Sequence, residues 1–154
     1  MQLERRGYKV TLAEANEEYG GRVLSESRLK GLNAWRRVAD YRIRYLQQSA
    51  NVDLFLDSRL TAENVLELGV KNVFLATGSK WRSDGVGRSN RKTLRVQPAK
   101  NIFTPDDIMG GALPKSGQLV IYDDDQIYLG GVLADHLSDL GFDIVFVTLS
   151  LIHI

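Results

Sequence analysis

YKVTLAEANEEYGGRV, residues 8–23, is the stretch whose reading decides the fold. The β-branched and apolar run Val10-Thr11-Leu12 follows Gly7 and leads to Glu14, as a short strand would. At the end of the second strand of a Rossmann unit, a carboxylate accepts hydrogen bonds from a nucleotide ribose, and Glu14 has that place. Tyr19 follows, and then Gly20-Gly21-Arg22. Paired glycines let backbone come close to a ligand, and Arg22 can offer charge-assisted donors to phosphate. The plainer reading of the same residues is an exposed turn after an ordinary strand.

A dinucleotide unit opens with a strand and G-x-G-x-x-G, with the acid about 20 residues further on. Met1 is too close to Glu14 for either to fit. Residues 1–6 (MQLERR) read instead as the last turns of the first helix, stopped by Gly7. The chain is therefore expected to start inside a motif, as a fragment.

The 154 residues suffice for one ordinary domain or two small lobes, with 44% hydrophobic and 25% charged residues, as in globular proteins. Without cysteine, the chain offers no disulfide, thiolate or iron–sulfur ligand. No apolar run reaches membrane-spanning length, and the polar start lacks a secretory h-region, so a cytoplasmic location is expected. Net charge is +1, unevenly placed: residues 1–100 hold 19 Lys and Arg against 11 acids, and residues 101–154 hold one Lys against eight Asp. That asymmetry suggests two lobes. The basic residues are scattered and lack interleaved stacking aromatics, so no nucleic-acid partner is expected.

After the Gly-Gly-Arg turn, residues 24–32 read as a polar connector. Asn33 is expected to cap a helix to about Gln48, with Trp35, Val38, Ala39, Ile43 and Leu46 on one side and Arg36, Arg37 and Arg44 on the other. A strand is expected at 52–56 and a short helix at 62–68, capped by Thr61 and stopped by Gly69. Residues 72–75 (NVFL) read as a strand buried on both faces of a parallel sheet. It leads into Ala76-Thr77-Gly78-Ser79, where small residues, the Thr77 hydroxyl and the Gly78 turn could approach a cofactor. A turn containing glycine is the plainer alternative. Residues 80–100, with seven basic residues and one acid, read as an exposed loop crossing between lobes. Pro105 then opens a short helix over 106–109.

The second lobe reads as a β-α-β unit: strand 119–122, helix 128–140, strand 143–148. His136, on the apolar side of that helix, is expected to be a packed or edge histidine. A cofactor-binding β-α turn would carry glycines. This one carries Asp123-Asp124-Asp125, whose charges would oppose a pyrophosphate, and consecutive carboxylates make a weak metal site. No metal site and no catalytic residue are expected within the chain.

Together these segments resemble the C-terminal half of trimethylamine dehydrogenase and its dimethylamine and histamine dehydrogenase relatives. These are flavoproteins related to old yellow enzyme and 2,4-dienoyl-CoA reductase. The resemblance rests on RGYKVTLAEA…GGRV, WRRVADYRIR, LTAENVLELGVKNVFLATGSKWRSDG, TPDDIMGG and IYDDDQIYLGGVLADHLSDLGFDIVFVT. The acids in the last piece are more like the amine dehydrogenases than the reductases, whose second domain keeps glycines and binds NADPH.

The resemblance implies an α/β chain, a partial Rossmann-like three-layer fold with parallel sheets, truncated at both ends. Residues 1–100 would form an incomplete ADP- or FAD-binding domain, and 101–154 the start of an NAD-binding-like domain without its glycine loop. Carried over by position, Glu14 would hold the ribose, Gly21 and Arg22 would lie near the phosphates, and Leu60 would lie near the adenine, with Thr77 and Gly78 closing on the cofactor. The parent would be a homo-oligomeric flavoprotein oxidoreductase acting on a small amine. FMN and a 4Fe-4S cluster would lie outside this chain, and electrons would pass to an acceptor protein. An NAD(P)H-dependent enoate or dienoyl-CoA reductase is the alternative enzyme. A non-catalytic nucleotide-binding or structural module is the non-enzymatic one. The tail LSLIHI (149–154) looks unlike a family continuation.

Overall fold

The computed structural model describes residues 1–93 and 101–149. They form α1 (Gln2–Arg5), β1 (Val10–Ala13), α2 (Arg22–Glu26), a 3₁₀ turn (Asn33–Trp35), α3 (Arg36–Gln47), β2 (Val52–Phe55) and α4 (Ala62–Glu67). α5 (Pro105–Met109), β3 (Gln118–Asp123), α6 (Leu129–Asp139) and β4 (Asp143–Thr148) follow. The described residues are mixed α/β with two small parallel sheets, β1-β2 and β3-β4. It divides into two compact units, residues 1–24 with 34–78, and residues 25–33 with 79–154. Residues 25–33 thus go with the second unit.

In the first unit, α1 ends as its sequence dictates. Gly7 adopts φ +83°, its amide bonding to the Glu4 carbonyl and the Tyr8 amide to that of Leu3, the paired bonds of a Schellman exit. Glu4 fixes α1 to the end of α3, accepting from the Tyr45 hydroxyl at 2.6 Å and the Ser49 hydroxyl at 3.0 Å. These hydrogen bonds, the Tyr45 one foremost, hold its carboxyl below the ordinary range. β1 and β2 pair with Val10 against Val52 and Leu12 against Leu54. Leu12 and Leu54 line an apolar hollow of about 170 Å³ with Ala39, Ile43 and Leu46 of α3. Of the expected apolar stripe on α3, Ala39 is buried, whereas Trp35 and Val38 are exposed. Asn33 does not cap α3; it begins the 3₁₀ turn that leads into it, and Trp35 is the capping position. Thr61 does cap α4, exchanging hydrogen bonds with Asn64.

Further expectations are overturned. Residues 72–75 are not a strand, and Phe74 and Leu75 are 75% and 83% exposed. A strand buried on both faces needs a neighbour at each edge, and the first unit's sheet has only two strands, which pair with each other. Residues 24–32 are not a plain connector: they contain the end of α2, and Leu24, Glu26, Ser27 and Leu29 are buried.

In the second unit, β3 and β4 pair with Leu119 against Ile144 and Ile121 against Phe146. Leu119, Ile121 and Ile144 pack on the core formed by Leu129, Leu133 and Leu137 of α6 with Leu29 and Ile108. Glu26 joins this unit by accepting from the Tyr128 hydroxyl at 2.8 Å. α6 closes at Gly141 (φ +90°), where the Phe142 amide reaches the Leu137 carbonyl and Phe142 packs against the core. His136 is half-buried. The described part of the basic segment, residues 80–93, is not a free loop. Trp81 packs on the core, and its amide donates to Asp106 at 2.8 Å. Residues 94–100 of that segment, and the tail from 150 onward, lie outside the described residues.

Thr104 is buried and caps α5 through a reciprocal pair with Asp107, whose carboxyl is held low by the Thr104 amide and then its hydroxyl. Thr104→Ala is expected to cost about 1–2 kcal/mol in urea unfolding, while Thr104→Ser keeps most of that stability.

Candidate functional site

Glu14 stands just past the C-terminal end of β1, and open α/β sheets bind ligands outside the carboxyl ends of their strands. Its amide donates to the Phe55 carbonyl at 2.9 Å, extending the β1-β2 ladder by one bond. Its own carbonyl accepts from the Ser58 amide at 2.8 Å, and the Asn16 carbonyl accepts from the Asp57 amide at 3.1 Å. The loops leaving the two strands are thereby latched into one rim. Asp57 takes φ +49° to reach it, a left-handed conformation that Asp tolerates better than most residues.

On that rim the Glu14 side chain is half-buried and oriented. Its Oε1 accepts from the Asn16 amide at 3.0 Å and from Asn16 Nδ2 at 2.7 Å. Oε2 takes no hydrogen bond among the described residues. Tyr19 lies close enough for the Glu14 charge to help raise its phenol, after burial, so Tyr19 is a neutral donor at physiological pH. Leu60, two residues past Ser58, is exposed on the same loop.

The Gly-Gly turn divides its work. A Cβ on Gly20 (φ +128°) would stand 2.9 Å from Leu24 Cγ and 3.4 Å from Ala39 Cβ, so Gly20 serves packing. A Cβ on Gly21 (φ +50°) would meet only open space, so Gly21 presents bare backbone outward. Arg22 follows, exposed, as the first residue of α2. Thr77 and Gly78 are exposed, with Gly78 at φ +74°, and among the described residues neither makes a hydrogen bond or ion pair. The structure therefore brings Glu14 together with the loop that carries Leu60, through main-chain bonds. It makes no such link to Thr77 or Gly78. Asn16, Tyr19, Asp57 and Ser58 were not assigned a role from sequence. The Glu14-x-Asn16 spacing was the one available signal, since Asn readily bonds backbone and side chains two residues away.

The corresponding turn of the second unit is built differently. Asp123 Oδ1 accepts from the Gln126 amide at 3.0 Å, and a Cβ on Gly130 would stand 2.8 Å from Asp123 Cγ. Asp124 accepts from the Ser89 amide at 2.9 and 3.1 Å, a bond that leads in holding its carboxyl low. These carboxylates fold their own loops, and among the described residues no group of three or more His, Cys, Asp or Glu could hold a metal ion. No helix among the described residues is long and apolar enough to cross a membrane.

No family model matches the chain. Histamine dehydrogenase from Rhizobium sp. 4-9 superposes with a TM-score of 0.89 at 46% identity, over 97% of this chain and 23% of that one. 6-Hydroxypseudooxynicotine amine oxidase from Pseudomonas geniculata N1 gives 0.91 at 42% identity, over 95% of this chain and 22% of that one. Dimethylamine dehydrogenase from Hyphomicrobium sp. (strain x) is 28% identical over 153 residues, 95% of this chain and 21% of the relative. The chain's homologues are thus oxidoreductases. More particularly, these three are amine dehydrogenases and an amine oxidase, consistent with the trimethylamine/dimethylamine dehydrogenase family. A multifunctional alkene reductase/demethylase from Caballeronia cordobensis is also 28% identical over 143 residues, 90% of this chain and 19% of the relative. The chain spans about a fifth of their length.

Close to the second unit's acid turn, Arg82 and the Val86 amide hold Asp84 at a pKa of about 2, the Arg82 hydrogen bonds foremost. A depressed carboxyl stabilises the fold above its unfolded pKa of about 3.9, and that contribution is lost as pH falls through the folded value. The Asp84 carboxyl carbon is therefore expected to titrate by NMR near pH 2, and Arg82→Gln to move its midpoint upward.

Proposed function

We propose that the chain is the nucleotide-binding region of a larger flavoprotein that oxidises a small amine. In this reading the first unit belongs to a Rossmann-like, three-layer domain that binds ADP or FAD. The second has the β-α-β topology of an NAD-binding domain without its phosphate site. One observation carries it: Glu14 is fixed at the carboxyl end of a parallel strand pair, with Oε2 taking no hydrogen bond among the described residues.

The residues present fit such a ligand. Glu14 would accept from the ribose hydroxyls, Gly21 and Arg22 would meet the phosphates, Leu60 would cover the adenine, and Thr77 with Gly78 would close on it. Bound FAD supplies electron-carrying chemistry, whereas ADP supplies none, and no residue of this chain is assigned to bond-breaking on the amine. Tyr19, kept protonated, can donate toward the Glu14 rim. FMN, a 4Fe-4S cluster, an electron-acceptor protein, a homo-oligomeric state and a cytoplasmic location complete the proposal for the whole protein. The rival, a reductase drawing on NAD(P)H through the second unit, is disfavoured. Asp123 stands against Gly130 in the first turn of α6, where that reading needs room for a pyrophosphate.

Glu14→Ala, in the whole protein carrying this chain, is expected to weaken ADP or FAD binding about tenfold to a hundredfold, the loss of a charged hydrogen-bond acceptor worth about 1.5–3 kcal/mol. Unchanged retention of the nucleotide would place the ribose elsewhere. Calorimetric titration of the same protein, with the first site filled by ADP, is expected to show no NADPH binding. Micromolar binding there would favour the reductase.

A further inference from the structure

We infer that Asn16 is the positioning residue for the ribose: it fixes the Glu14 carboxylate so that the remaining acceptor sites face the nucleotide hydroxyls. The inference rests on the reading of Glu14 as the ribose acceptor and goes beyond it by assigning the residue that makes that acceptor specific.

A glutamate at the end of a strand has three side-chain torsions and would sample many orientations in water. Here both polar hydrogens that Asn16 can aim at it converge on one oxygen, Nδ2 at 2.7 Å and the amide at 3.0 Å. That leaves Oε2 for donors from outside. Asn16 is itself held, because its carbonyl accepts from the Asp57 amide, and Glu14's carbonyl accepts from Ser58. The carboxylate is thus oriented through a chain of bonds that begins in the β2 exit loop, the loop that continues to Leu60. Asn suits the task where Asp would not: its amide group donates to a carboxylate, while a second carboxylate two residues away would repel it. Asn16 is exposed and packs against nothing in the core, so its side chain has no evident stabilising duty in the fold.

The test compares ADP with 2′,3′-dideoxy-ADP, which lacks the hydroxyl donors, on the whole protein freed of bound nucleotide. Asn16→Ala keeps the backbone amide and removes only Nδ2. It is expected to weaken ADP about five- to tenfold and leave dideoxy-ADP unchanged, so that the preference between the two ligands shrinks. Asn16→Ser, which restores a donor, is expected to recover part of the preference, and Asn16→Asp to recover none. Equal losses for both ligands would make Asn16 merely structural and overturn the inference, as would no loss for either. Glu14→Ala separates the two levels. If Glu14→Ala abolishes the preference and Asn16→Ala does not touch it, only the role of Asn16 falls. If Glu14→Ala leaves the preference intact, the ribose reading falls and the inference with it.

Discussion

The parallel pairing of Val10–Ala13 with Val52–Phe55 is the interaction on which the first unit depends. Parallel strands cannot be joined by a tight turn, so the chain between them must cross back over the sheet, and α3 makes that crossing. The register that sets Leu12 beside Leu54 gives α3 an apolar face on which Ala39, Ile43 and Leu46 can lie. It also brings both strand exits to the same end of the sheet. Main-chain bonds from Ser58 to Glu14 and from Asp57 to Asn16 are possible only because the two strands run the same way and end level. The candidate site is a consequence of strand direction before it is a consequence of any side chain.

Much of this was legible locally. Gly7, Gly69 and Gly141 mark helix ends because only a residue without Cβ takes positive φ cheaply, and all three take it. Thr61, the β1 run and the β3-α6-β4 unit were likewise legible, through capping chemistry and apolar periodicity. Glu14 could be singled out because a strand's end is itself a local signal.

What escaped depends on distant partners. Residues 72–75 have the composition of a doubly covered strand, yet composition states only what a segment would prefer once neighbours flank it. With two strands in its unit's sheet, paired to each other, the segment stays exposed. The stretch 24–32 looked polar because Glu26 and Ser27 stand in it. Glu26 is nonetheless buried through a hydroxyl donor 102 positions away, and Leu29 through a core drawn from α5 and α6. Asn16 was silent for a related reason. Its short-range bond to Glu14 is the kind Asn makes in many turns, and what gives it weight is the Asp57 amide, 41 positions on. Main-chain donors carry no sequence signature at all.

The two units place carboxylates at the carboxyl ends of their first parallel strands, Glu14 just past β1 and Asp123 as the last residue of β3, and use them in opposite ways. After β1, Glu14 commits one oxygen to Asn16 and leaves the other open, while Gly21, seven residues on, keeps its backbone accessible. At the end of β3, Asp123 and Asp124 bind the amides of Gln126 and Ser89, and Gly87 and Gly130 exist to let those side chains in, since a Cβ on Gly87 would stand 2.1 Å from Asp124. Glycines beside a β-α turn therefore have two meanings. They can clear room for a ligand's phosphate, or for the protein's own carboxylate, and the second use occupies the space the first would need. A strand-turn-helix unit supplies a location for binding, and which groups already fill that location decides whether anything binds there.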